Sequence, residues 1–98
     1  MLHFAVTQKQ YDILCGIRYW IADKERMRER YGDNEPELET CHKTICGLFD
    51  EADRLKIPFW VQNTAICSVQ GQWRKYLCEY TYDALERNNI DCSAVSCR

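Results

Sequence analysis

The sequence predicts an all-α fold, a small antiparallel bundle of three or four helices. Apolar residues recur at three- and four-residue spacing over three long stretches. The only prolines, Pro36 and Pro58, fall between those stretches. Nothing alternates cleanly enough to pair as strands. Residues 2–6 are the one strand-like segment, and without a partner they are expected to be extended chain.

The first helix is expected to start at Thr7. Thr7 and Gln10 have the spacing of a capping box, and Val6 with Tyr11 that of a hydrophobic staple. Ile13, Ile17, Trp20, Met27 and Tyr31 mark one apolar face, widened by Leu14 and Ile21. Lys24, Arg26, Arg28 and Arg30 suit the negative end of the helix dipole, and Gly32 is a natural stop.

The second helix is expected to start near Asn34, with Pro36 in its first turn and Asp33, Glu35, Glu37 and Glu39 at its positive end. Leu38, Cys41, Ile45, Leu48, Ala52 and Leu55 form its stripe, thickened by Phe49. Pro58 ends it by disfavouring helical backbone at Ile57.

The third pattern runs from Pro58 to about Asn89. Phe59, Ile66, Val69, Trp73, Leu77, Tyr80 and Ala84 predict one face; Trp60, Thr64, Cys67, Gly71, Cys78, Tyr82 and Leu85 predict a second. One unbroken helix would be about 45 Å long, so a break at Gly71 is expected. Asn88 and Asn89 predict a C-cap. Residues 91–98 are expected to form an irregular tail of a single domain covering residues 1–98.

The 98 residues are 46% hydrophobic and 29% charged, which suits one globular domain. A core is affordable at this length; a core plus a deep enclosed substrate cavity is not. The net charge of −2 disfavours sequence-independent nucleic-acid binding, which needs cations to displace counterions. No run approaches the roughly 18 apolar residues of a membrane span, and MLHFAVTQKQ lacks the pattern of a signal peptide. A cytoplasmic, non-membrane protein is expected. The seven cysteines then read as reduced, small hydrophobes.

Catalytic and metal patterns are thin. His42 and Cys46 are one helical turn apart, the minimum for a nucleophilic pair, but no orienting group accompanies them. Cys41 and Cys46 point about 140° apart on a helix, which does not suit one ion. Cys92 and Cys97 have the same spacing. A small structural zinc protein is therefore an alternative only, and the expectation is no enzyme, no cofactor and no metal.

Binding is better supplied. Residues 57–72 (IPFWVQNTAICSVQGQ) carry no charge. Such a helix is either buried on all sides or presents an interface, with Trp60 as anchor and small residues at 64, 67 and 71 allowing close approach. Tyr76 and Tyr82 join Trp60 as candidate hot-spot aromatics. A homodimer through the Trp60 face is one possible arrangement. The second candidate is the charged corner at residues 24–39. There Arg26 and Arg30 could grip a nucleic-acid backbone, or Glu35 and Glu37 could face a basic groove.

Two segments carry a family likeness. VTQKQYDILCGIRYWI resembles the opening helix of winged-helix repressors of the LexA type. EADRLKIPFWVQNTAI resembles a helix–turn–recognition-helix segment, with Ala52, Leu55 and Ile57 at fitting positions. Together they cover about a third of the chain, and the resemblance implies DNA binding. The chain departs from it at Lys56, where a turn glycine is usual, and at Gln62, where an apolar residue is expected. The would-be reading helix also has no arginine or lysine for phosphates and guanines. DNA binding therefore ranks second. The first expectation is a non-catalytic module that binds a larger protein or nucleoprotein complex. In length, mild acidity and aromatic content it is similar in type to small phage and mobile-element proteins, including anti-CRISPR inhibitors of host defence nucleases.

Overall fold

The computed structural model describes residues 3–67 and 81–96. Among these, β1 spans Phe4–Ala5, α1 Gln8–Tyr31, α2 Glu37–Arg54, α3 Phe59–Cys67, α4 Thr81–Arg87 and β2 Ile90–Asp91. The protein is mostly helical.

Thr7 caps α1 as its sequence dictates. Its Oγ1 accepts the Gln10 N–H at 3.2 Å, and Gln10 Oε1 accepts the Thr7 N–H at 2.9 Å. Val6 and Tyr11 both enter the core beside this cap. Gly32 ends the helix at φ +86°, a conformation that favours glycine, and its N–H donates to the Arg28 carbonyl. The buried stripe is narrower than the apolar pattern: Tyr11, Leu14, Ile17, Arg18, Ile21 and Ala22. Ile13, Trp20 and Met27 flank it half-buried, and Tyr31 is exposed.

α2 begins at Glu37, later than the expected Asn34, because no side chain caps it. Pro36 holds the N-cap position with helical backbone. The helix also stops earlier, at Arg54. Leu55 follows as C-cap and Lys56 turns at φ +60°, so reversal is complete before Pro58. Cys41, Ile45 and Ala52 face inward.

α1 and α2 run antiparallel. Gln10 donates to the Leu55 carbonyl at 2.9 Å. A Cβ at Gly16 would touch Leu48 at 3.5 Å, and the Asp23 and Lys24 charges act on Cys41. α3 packs on α1 and against α4. The shared core joins Leu14, Ile17, Ile45, Ala52, Ile57, Val61, Ala65 and Leu85.

In α3 the two faces expected for the third pattern are not the ones buried, although Ala84 and Leu85, one from each, are buried in α4. α3 buries Val61, Gln62 and Ala65, none of which belongs to either. A segment without charge has no marker for its outer side, so several stripes fit equally well. The expected break at Gly71 and the positions of Trp73, Tyr76, Leu77, Cys78 and Tyr80 lie outside the described residues. At the end of α4, Asn89 adopts φ +65° and Asn88 Nδ2 donates to the Ala84 carbonyl at 2.7 Å, which closes the helix as a C-cap does.

The segment at residues 2–6 does have a partner. β1 and β2 pair in parallel, Phe4 with Ile90 and Ala5 with Asp91, and the Val6 N–H extends the ladder to the Asp91 carbonyl at 3.0 Å. Of the stretch expected as an irregular tail, Asp91 belongs to β2, and residues 92–96 are turn and irregular backbone that packs back on the core. Ile90, Cys92 and Val95 are buried. The Ser93 N–H donates to Asp91 Oδ1 at 2.9 Å, and the Ser96 N–H to Gln8 Oε1 at 2.8 Å. Two residues are too short a span for alternation to show, so sequence patterning could not reveal this pair.

Candidate interaction surfaces

The expected binding residues divide between two ends of α2, whose 18 residues span about 27 Å. Trp60 and Tyr82 belong to the end at which α3 and α4 meet. Arg26, Arg30, Glu35 and Glu37 belong to the α1–α2 turn. The structure does not bring the two sets together, and Tyr76 lies outside the described residues.

At the first end, Trp60 is not the protruding anchor. It lies half-buried against the core, and its carbonyl accepts the Thr64 hydroxyl at 3.1 Å. Tyr82 is also half-buried, its hydroxyl donating to Glu86 Oε2 at 3.1 Å. The residue that protrudes is Phe59, 75% exposed at the first turn of α3. Asn63, one turn further, is exposed as well. Sequence reasoning passed over Phe59 because its larger neighbour drew the assignment, and the two point to different sides of the helix.

Under this end lies a junction of α1 with α4. Burial, and then the Cys15 thiol beside it, push the Tyr11 hydroxyl well above its ordinary pKa. Burial likewise raises the Cys15 thiol, although the Thr81 side chain hydrogen-bonds to it. Both groups stay neutral, which fits a structural joint rather than a reactive centre.

The link between α2 and α3 is a tight helix–turn–helix. Lys56 takes the left-handed backbone usually given to glycine. Ala52 and Ile57 are fully buried, and Gln62 is 4% exposed. Gln62 Nε2 donates to Asp53 Oδ1 at 2.9 Å and to the Ile57 carbonyl at 2.8 Å. An amide thus fills the place where an apolar side chain was expected, and it ties both helices to the turn.

At the other end, the basic cluster is largely matched from within. Arg26 pairs with Asp23. Arg28 reaches Glu25 at 3.2 Å and Asp33 at 3.3 Å. The Arg30 guanidinium lies 5.4 Å from the centre of the Tyr31 ring. Glu35 Oε1 accepts the Glu37 N–H at 3.5 Å, and Glu37 and Glu39 stay exposed in the first turn of α2.

The four described thiols, Cys15, Cys41, Cys46 and Cys92, are all free. Cys41 faces inward and Cys46 outward, so the two do not converge. Cys46 Sγ instead meets His42 Nε2 at 3.6 Å on the outer face of α2. Among the described residues, no group of three or more His, Cys, Asp or Glu side chains within the chain could hold a metal ion. No described helix is long and apolar enough to cross a membrane. A shallow groove beside β2, lined by His3, Glu86, Asn89, Ile90 and Asp91, has no counterpart in the sequence pattern, because the parallel pairing creates it.

No family model, curated protein or solved structure matches this chain.

Proposed function

We propose that the chain is a non-catalytic binding module of the cytoplasm, a small antiparallel helical bundle that presents the outer face of α3 to a protein partner. The observation that carries this is Phe59, 75% exposed at the head of a helix without a single charge. An exposed aromatic on an uncharged surface gains on burial against another protein and offers phosphates nothing. Asn63 supplies a polar contact beside it, and Trp60 and Tyr82 form a firm base. In its narrower form the partner is a nucleic-acid-handling complex, such as a host defence nuclease. The carboxylates of Glu35 and Glu37 would then occupy part of its basic groove, with Arg26 and Arg30 at the rim.

A second reading is DNA binding through the helix–turn–helix. The left-handed Lys56 and the buried Ala52, Ile57 and Gln62 favour it. The acidic first turn of α2 and the uncharged α3 oppose it.

One experiment separates the two. Immobilised protein and its Phe59→Ala variant are exposed to nuclease-treated and untreated bacterial lysate. The protein-binding reading expects one stoichiometric protein on the wild type, lost on Phe59→Ala and indifferent to nuclease. If only nucleic acid is retained, the helix–turn–helix reading takes its place.

A further inference from the structure

The side of α2 that faces away from the core carries charges in an order that is its own complement. Cys41, Ile45 and Ala52 face inward. On the opposite side Glu39, Lys43, Cys46, Gly47, Asp50 and Arg54 follow one another around a single stripe, and all six are exposed. Reversing the stripe exchanges every acid for a base. A second α2 laid antiparallel about a two-fold axis between positions 46 and 47 therefore sets Glu39 against Arg54 and Lys43 against Asp50, each pair made twice. A parallel copy would set like charge on like. Arg54 also pairs with Glu51 of its own helix, and its guanidinium has donors to spare.

Exposed ion pairs fix orientation but hold little by themselves. The two residues beside the axis supply the rest. A Cβ at Gly47 would meet nothing within 4 Å, so nothing within its own chain requires a glycine there. Across the axis, the missing Cβ lets the two helices approach to about 8 Å, the close end of helix packing. At that separation the two Cys46 Cα atoms, each about 50° off the line joining the helix axes, lie about 5 Å apart. A disulfide spans Cα atoms about 4.4–6.8 Å apart. The long charged side chains sit farther out, where crossing helices diverge and leave them room.

We propose that the outer face of α2 receives a second copy of this chain, antiparallel about that axis, and that oxidation locks the pair through a Cys46–Cys46 disulfide. The oxidant is a low-molecular-weight disulfide. One Cys46 thiolate attacks it, forming a mixed disulfide and expelling one small thiolate. The second copy's Cys46 thiolate then attacks the Cys46 sulfur of that mixed disulfide and expels the other small thiolate. Two protein thiols are oxidised, one small disulfide is reduced to two thiols, and the two thiol protons pass to the departing thiolates. His42 Nε2, 3.6 Å from Cys46 Sγ, is placed to carry that proton. The stripe belongs to α2 and Phe59 to α3, so the dimer does not rest on the partner-binding reading.

The test takes the full chain reduced by a phosphine, freed of phosphine, and treated with oxidised glutathione. Mass spectrometry without reductant is expected to give a covalent dimer that phosphine returns to monomer, and peptide mapping is expected to find Cys46 joined to Cys46. Cys46→Ser should abolish this dimer. Gly47→Leu should slow its formation about tenfold, because the added side chain holds the helices apart. Lys43→Asp should slow it severalfold, and Lys43→Asp with Asp50→Lys should restore the rate. Circular dichroism of each variant checks that the helices are intact. A monomer that carries glutathione on Cys46 and goes no further overturns the proposal. So does a dimer that forms equally well in Cys46→Ser, which is joined through other thiols. A Cys46 dimer whose rate ignores both Gly47→Leu and Lys43→Asp overturns it as well, since random collision then suffices.

Discussion

Gln62 lies where the chain reverses between α2 and α3, with both of its bonds made by one nitrogen. Truncating it leaves the Ile57 carbonyl short of a donor in a dry setting. Gln62→Ala is expected to lower stability by about 1–3 kcal/mol, read from the midpoint of urea unfolding. An unchanged midpoint would mean that the turn holds without the amide. Lys56 stands nearby with a left-handed backbone that costs an L-residue about 1–2 kcal/mol. Lys56→Gly relieves that strain but loosens the unfolded chain. A net gain of up to about 1 kcal/mol is expected by the same measurement. Both residues look like departures from a helix–turn–helix when read in the sequence. Lys56 adopts the glycine conformation without the glycine, and Gln62 satisfies its own polarity locally. Residue type alone does not disclose either solution.

For whole elements, legibility follows the contrast between faces. α1 and α2 carry charge on one side and apolar groups on the other, so their existence, the Thr7 cap and the Gly32 stop were all readable. α3 has no such contrast, and its inward stripe of Val61, Gln62 and Ala65 was not. The start of α2 was expected near Asn34, but the helix begins at Glu37 behind Pro36, with no side-chain cap to mark it. Gly47 offers a direct check on α2: a Cβ there would meet nothing within 4 Å, so Gly47→Ala is expected to raise stability by about 0.8–1 kcal/mol in thermal melts. A loss would mean that the outer face of α2 is covered within the monomer. The β1–β2 pair gives a pH signature. The Ser93 N–H, then its hydroxyl and the nearby His3, hold the Asp91 carboxyl below its ordinary 3.8. A depressed carboxylate stabilises the fold fully above its unfolded value and ceases to do so as pH falls through the folded one. Melts of Asp91→Asn and wild type should therefore differ most near neutrality and converge in acid below about 3.8. A constant gap would assign the effect to packing instead.

Over the whole molecule, the two candidate surfaces sit at opposite ends of α2, and the charged one is mostly paired within itself. That division was invisible in the sequence, where residues 24–39 and 57–72 are simply two stretches of chain. The thiols report on the molecule as a unit. Cys41 and Cys92 are buried and Cys15 is half-buried, while Cys46 is open. Alkylation is expected to label Cys46 at once, and Cys15, Cys41 and Cys92 only as fast as the fold opens. Peptide mapping over a time course checks this. Simultaneous labelling of the four would mean that the core breathes far more than its packing implies.

The parallel pairing of Phe4–Ala5 with Ile90–Asp91 also governs when folding can finish. On the ribosome, β1 emerges long before β2 exists. Until the residues after α4 have been made, the Val6 amide has no carbonyl to meet and Gln8 has no Ser96 to hold. The α1–α2 hairpin can form early from local contacts, but closure around Val6, Ile90 and Val95 must wait for nearly the last residues described. A nascent chain of this protein therefore carries its apolar β1 segment unprotected until β2 has been made.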